Sequence, residues 1–188
     1  MINVAHDKKI TISVGASKDS IKWKNKTLLW SELLQRLSKT HRTVETEKEY
    51  ANLPKKDCDR IKDVGGFVGG NISGGRRKKG AITFRTLITL DIDYAKFDLD
   101  VWGLFQMLYN NAACIYSTHS HRADNPRLRI VLPLDREIDP EEYQPIARKI
   151  AGHLDIEIFD NTTFQPERLM YWPSTPNDGE YIFHYQDG

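Results

Sequence analysis

The chain has 188 residues, enough for one sizeable core or one domain with a small subdomain. Its 27 Lys and Arg against 26 Asp and Glu leave a formal net charge of +1, which excludes a whole-molecule basic field and puts any nucleic-acid binding in local patches. Cys58 and Cys114 are the two cysteines, without C-x-x-C spacing, which argues against a disulfide framework or a thiolate zinc site and suits a reducing cytoplasm. No run approaches the roughly 20 apolar residues of a membrane span, and the first residues carry no signal-peptide pattern, so a soluble, cytoplasmic globular protein or a fragment of one is expected.

Ile10, Ile12 and Val14 alternate with polar residues, as do Ile21 and Trp23, and Asn25-Lys26 reads as the turn of a hairpin. Ser31 is placed to cap a helix carrying Leu33, Leu34 and Leu37. Residues 45–61 read as helical, divided by Pro54. Residues 65–80 then hold seven of the twelve glycines, followed within the same stretch by Arg76-Arg77-Lys78-Lys79. Two readings stand for it: a solvated surface loop, or a mobile basic loop that grips nucleic-acid phosphates. It lacks the G-x-x-x-x-G-K-[ST] of a P-loop.

A long strand over 82–93 follows, then a helix over 99–109 with Val101, Leu104, Phe105 and Leu108 on one face. Further strands are expected at 113–116 and 127–132. Asp139-Pro140 opens a helix striped by Tyr143, Ile146, Ala147, Ile150, Ala151 and Leu154, in whose first turn Pro145 should fall. Arg168–Trp172 reads as a last core strand, and 181–185 as a closing one. The order β-α-β-β-α-β predicts an α+β fold: an RRM-like module at 81–188 with one free sheet face, preceded by an N-terminal α/β subdomain at 1–80.

The chemistry centres on Leu90-Asp91-Ile92-Asp93. Residues two apart on a strand share a face, so Asp91 and Asp93 point together while Ile88, Leu90 and Ile92 point to the helices. Two carboxylates so close repel unless a cation lies between them or one is protonated, and a hard divalent ion such as Mg²⁺ or Mn²⁺ is the usual partner. Against this stands a strand that simply ends in polar residues. Arg127 and Arg129 share a face of the third strand, and with His119 they are expected on the same free sheet face as the aspartates. Those carboxylates should look toward the glycine-rich basic stretch.

The ordered set Leu90-Asp91-Ile92-Asp93, Ser117-Thr118-His119 and Phe159-Asp160, the last shortly before Arg168-Leu169-Met170, resembles the archaeo-eukaryotic primase superfamily, in particular the primase-polymerase domains of phages and plasmids. The resemblance covers roughly residues 45–188. It implies a DNA primase or polymerase domain in which Asp91, Asp93 and Asp160 hold two Mg²⁺ or Mn²⁺ ions. Ser117, His119, Arg127, Arg129 and Arg168 would belong to the nucleotide site, with Arg168 either on the triphosphate or salt-bridged to Asp160, and Ser117 ordering its turn. The basic run Arg76, Arg77, Lys78 and Lys79 would bind nucleic acid. Single-stranded template or primer–template, NTP or dNTP, and a helicase domain or subunit beyond the C-terminal end are the implied partners. Asp155 and Glu157 are alternatives to Asp160 as third acid. His119-Ser120-His121 also resembles the histidine pair of rolling-circle nickases, though that family has a bulky apolar residue where Ser120 stands. A non-catalytic RRM-like binding module is the third reading, against which stands the lack of its aromatic signature.

Overall fold

The computed structural model describes residue 2 and residues 4–188. The five-stranded sheet has the order β11(Phe183–Gln186)-β7(Ala113–Ser117)-β8(Leu128–Ile138)-β6(Ile82–Ile92)-β5(Gly70–Ile72). β8 pairs antiparallel with both β6 and β7, as an RRM-like frame requires of its third strand. α4(Val101–Leu108) and α5(Pro140–His153) cover one face. The α+β class and the strand–helix order are therefore as the sequence predicts.

Period-2 alternation decides what each face meets. Ile88, Leu90, Ile92, Ile115 and Ile130 pack on the helices against Val101, Phe105, Tyr143, Ala147 and Ala151. Leu87, Cys114, Tyr116 and Val131 lie on the opposite face, and this face is not free. It packs on a second core built from Ile10, Ile12, Leu33, Leu34, Leu37 and Phe67. These belong to a four-stranded sheet, β2(Lys24–Leu29)-β1(Lys9–Gly15)-β4(Gly66–Val68)-β9(Met170–Tyr171), and to α1(Trp30–Leu37). Each large apolar side chain withdrawn from water contributes about 1.5–3 kcal/mol, so such a face is covered wherever an apolar partner exists.

The two sheets exchange strands across the chain. β5, from the glycine-rich stretch, pairs with the first half of β6, while β9 pairs with β4 instead of joining β6. The expected last core strand at 168–172 thus lies in the other sheet. The place beside the end of β6 is taken by a single bridge, Ile92 to Phe159.

Other expectations need local correction. Residues 65–80 are not one mobile loop: Gly66–Val68 and Gly70–Ile72 are buried strands, because a Cβ at Gly66 or Gly70 would stand 2.3 Å from Met170 O or 2.2 Å from Phe84 O. Asn25-Lys26 lies inside β2, not in a turn. α1 starts one residue before Ser31, whose N–H and hydroxyl are taken up by Asp7. Pro145 lies past the first turn of α5; the amide it lacks leaves one helical hydrogen bond unmade, and Asp139–Glu142 capping and Pro140 at the start support the helix around it. Pro54 does divide the 45–61 segment, into α2(Glu47–Ala51) and α3(Lys55–Ile61). Among the described residues no helix is long and apolar enough to cross a membrane.

Candidate functional site

Asp91 stands at the end of β6 and Asp93 just beyond it, on the face turned from the helices. Asp160 reaches them through the backbone: its N–H donates to Asp91 O at 2.9 Å, and Asp93 N donates to Ile158 O at 3.0 Å. Thr163 hydroxyl accepts from Asp91 N at 2.8 Å and donates to Thr89 O at 3.2 Å, closing the segment onto the strand. One oxygen from each of Asp91, Asp93 and Asp160 lies within 4.8 Å of the others. Asp155 and Glu157 are not part of this group; Asp155 is an exposed residue at positive φ that caps a short turn.

Each acid has an arginine. Arg129, the cross-strand partner of Asp91, donates from Nε to its Oδ1 at 3.0 Å. Arg127 Nη1 lies 3.1 Å from Asp93 Oδ1. Arg168 Nη2 bridges Asp91 Oδ2 at 3.0 Å and Asp160 Oδ2 at 2.6 Å. Burial alone would raise the Asp91 pKa, but Arg129 and Arg168 outweigh it and the carboxyl is held below its ordinary range. Asp93 moves the other way: burial and then the Asp91 charge push it up, against Arg127, and Asp160 adds to the rise. An acid still burdened by like charge among three converging oxygen donors is the environment a hard divalent cation relieves, so these residues fit Mg²⁺ or Mn²⁺.

Asp91 and Asp93 open into a cavity of about 450 Å³ that also takes in Arg127, Arg129, Arg168 and His119. Its remaining cations come from α3, as Lys55 and Lys62, and not from the run at 76–79, which does not line it. Of that run, Arg76, Lys78 and Lys79 are exposed, while Arg77 donates to Glu167 O and Lys18 O. Arg77 therefore ties down the segment that carries Arg168. Arg85, fully buried, does the same from the other side: it donates to Pro166 O, Leu87 O and Thr89 Oγ1 and lies over the Tyr143 ring.

His119 lines the cavity with both ring nitrogens engaged, Nε2 on Glu45 Oε1 at 3.0 Å and Nδ1 with Ser174 Oγ at 3.1 Å. Burial lowers its pKa more than Glu45 raises it. Since Glu45 accepts, Nε2 carries the proton and Nδ1 accepts from Ser174. Ser117 does not reach the cavity. It shares the parity of Ala113 and Ile115, and its hydroxyl accepts from Ile182 N. Sequence reasoning missed Glu45, Arg85, Lys55 and Lys62 as residues of the site.

A family model for the VapE N-terminal domain matches residues 1–188, the entire chain. The chain belongs to the VapE N-terminal domain family. Among solved structures, this VapE N-terminal domain is similar to the AEP domain of the cyanophage S-2L primase-polymerase at 13% identity and TM-score 0.47, over 94% of this chain and 80% of that one. No curated protein matches it.

Proposed function

We propose that this domain is the catalytic part of a phage or mobile-element primase-polymerase, working in the cytoplasm on single-stranded or primed DNA with NTP or dNTP. The observation that carries this reading is the convergence of Asp91, Asp93 and Asp160, with one oxygen of each within 4.8 Å of the others, Asp91 and Asp93 lining an arginine-rich cavity. The same three acids stand in the motif order that resembles archaeo-eukaryotic primases. The segments 1–80 and 81–188 act as one unit in this reading, with a helicase domain or subunit as the partner beyond residue 188.

The three aspartates would hold one or two divalent ions; when bound, such ions lower the pKa of an attacking 3′-hydroxyl and stabilise charge on the phosphoryl and leaving oxygens. Arg129 keeps Asp91 ionised and aimed into the cavity. Arg127 and Arg168 stand beside it, where their guanidinium groups offset charge building on a transferring phosphoryl group. His119, fixed by Glu45 and Ser174, lines the same cavity. The basic residues Arg76, Lys78 and Lys79 remain candidates for contact with the nucleic-acid strand. A nickase with a histidine-held metal receives no support from the geometry: among the described residues the side chains that converge as a metal-binding group are Asp91, Asp93 and Asp160, with no histidine among them, and both ring nitrogens of His119 are engaged by Glu45 and Ser174.

The test is incorporation of labelled nucleotide with Mn²⁺ and single-stranded template, with and without primer, by wild type and by Asp91→Ala with Asp93→Ala. Incorporation that survives the double substitution overturns the reading.

A further inference from the structure

Charge pairing inside the cavity shows where positive charge is left over for a polyphosphate. Arg127, Arg129 and Arg168 carry three positive charges, and Asp93, Asp91 and Asp160, their ion-pair partners, carry three negative ones, so the two sets cancel. Arg129 is buried and held by Asp91 and by Tyr171 O, which leaves it little freedom to follow a ligand. Positive charge beyond this balance comes from α3. Lys55 begins that helix and Lys62 caps its end. Seven residues are two turns, so both stand on one face, roughly 10 Å apart along the axis, a spacing that brackets a triphosphate.

Both lysines line the cavity that holds the aspartates. Lys62 is ion-paired with Asp59 at 2.7 Å, but Asp59 is shared with Lys18 at 3.7 Å, so these three groups together keep one positive charge; Lys62 also lies 6.0 Å from the Tyr171 ring centroid. Lys55 is exposed, and among the described residues no acidic group lies within ion-pair distance of it. It also lines the neighbouring cavity, of about 380 Å³, which shares His119, Ser120 and Arg127 with the first. An ammonium on a four-carbon stem is a mobile point charge, suited to following a flexible phosphate chain, whereas the paired guanidinium groups are suited to holding carboxylates.

We propose that Lys55 and Lys62 are the residues that bind the polyphosphate of the incoming nucleotide. This rests on the nucleotidyl-transfer reading for the identity of the ligand. The arginines, in this division of labour, first serve the acids.

The experiment is equilibrium binding of inorganic tripolyphosphate to Lys55→Met, Lys62→Met and the double variant. Lys56→Met, on the same helix but outside the cavity, is the control. Loss of one charge-assisted contact should weaken binding about tenfold, the double variant more, with a shallower dependence on salt. Lys62→Arg and Lys55→Arg should recover most of the affinity, and the Met variants should raise the KM for nucleotide more than they lower kcat. Tripolyphosphate bound as tightly by the double variant as by wild type overturns the assignment. A wild type that binds tripolyphosphate through these lysines yet never incorporates nucleotide leaves the assignment standing and counts against the polymerase reading instead.

Discussion

Arg129 and Asp91 face each other on adjacent antiparallel strands, and the pair is buried on both sides, Nε to Oδ1 at 3.0 Å. Removing one member strands the other, which costs far more than the pair contributes as a unit. Arg129→Met should therefore destabilise the fold by about 3–5 kcal/mol in urea unfolding. Adding Asp91→Leu should return most of that loss, because the two apolar side chains replace a desolvated pair, while nucleotide incorporation stays at zero. A single Arg129→Met that costs under about 1 kcal/mol would mean that Arg168 alone satisfies Asp91.

Arg168 stands with one nitrogen between Asp91 and Asp160, two of the three acids placed to hold a divalent ion. Cation and guanidinium thus compete for the same oxygens. Arg168→Gln should lower stability in chelator and tighten Mn²⁺ binding about tenfold, or about 1.4 kcal/mol. A melting-temperature titration with Mn²⁺ at constant ionic strength reads both effects, since a ligand stabilises the state that binds it by mass action. Equal Mn²⁺ responses in wild type and variant would show that Arg168 does not contend with the ion.

Asp91 and Asp93 were legible because strand parity is strict: they had to share a face, as Arg127 and Arg129 had to on their own strand, whereas Asp160 was legible only through the resemblance to the primases. The same parity would have kept Ser117 out of the cavity, since it aligns with Ala113 and Ile115. What parity cannot say is whether a face stays free. The apolar Leu87, Cys114, Tyr116 and Val131 on the acid-bearing face were the signal that something covers it, and Ile10, Ile12, Leu33 and Leu34 do. The glycines at 65–70 misled for a plain reason. A residue without Cβ serves a left-handed turn, as at Gly65, and equally a strand pressed against another backbone, as at Gly66 and Gly70. Lys55, Lys62 and Glu45 were illegible because their roles come from where a separate helix and its approach lie, which no local spacing encodes.

His119 and His121 are both buried, and burial pushes both below the ordinary value of 6.5, with Glu45 opposing at His119 and Glu180 at His121. A base with a depressed folded pKa stabilises the fold in full above 6.5, and that contribution is lost as pH falls below 6.5 toward the folded value. Urea midpoints should therefore drop between pH 7.5 and 5.5, with a slope of at most about 1.4 kcal/mol per pH unit from each histidine. Lys62 lowers His119 further, so Lys62→Met should soften the loss. His121→Asn keeps an acceptor for Arg127 N and should flatten the profile by one proton. A variant profile parallel to wild type would exclude His121 as a source of the acid sensitivity.

Two glycine-to-alanine substitutions should move stability in opposite directions. Gly152 lies exposed in α5 with nothing within 4 Å of where a Cβ would stand. Gly152→Ala should stabilise by about 0.5–1 kcal/mol through helix propensity. At Gly66 the added methyl meets Met170 O at 2.3 Å and the Leu169 side chain at 2.7 Å, so β4 and β9 must separate. Overpacking of this kind costs about 1–3 kcal/mol or more. β9 begins two residues after Arg168, so the shift should carry into the site and alter the Mn²⁺ response as well as the urea midpoint. Gly66→Ala with an unchanged Mn²⁺ titration would show that the Arg168 segment is held by Arg85 and Arg77 at Pro166 and Glu167, independently of the strand that follows it.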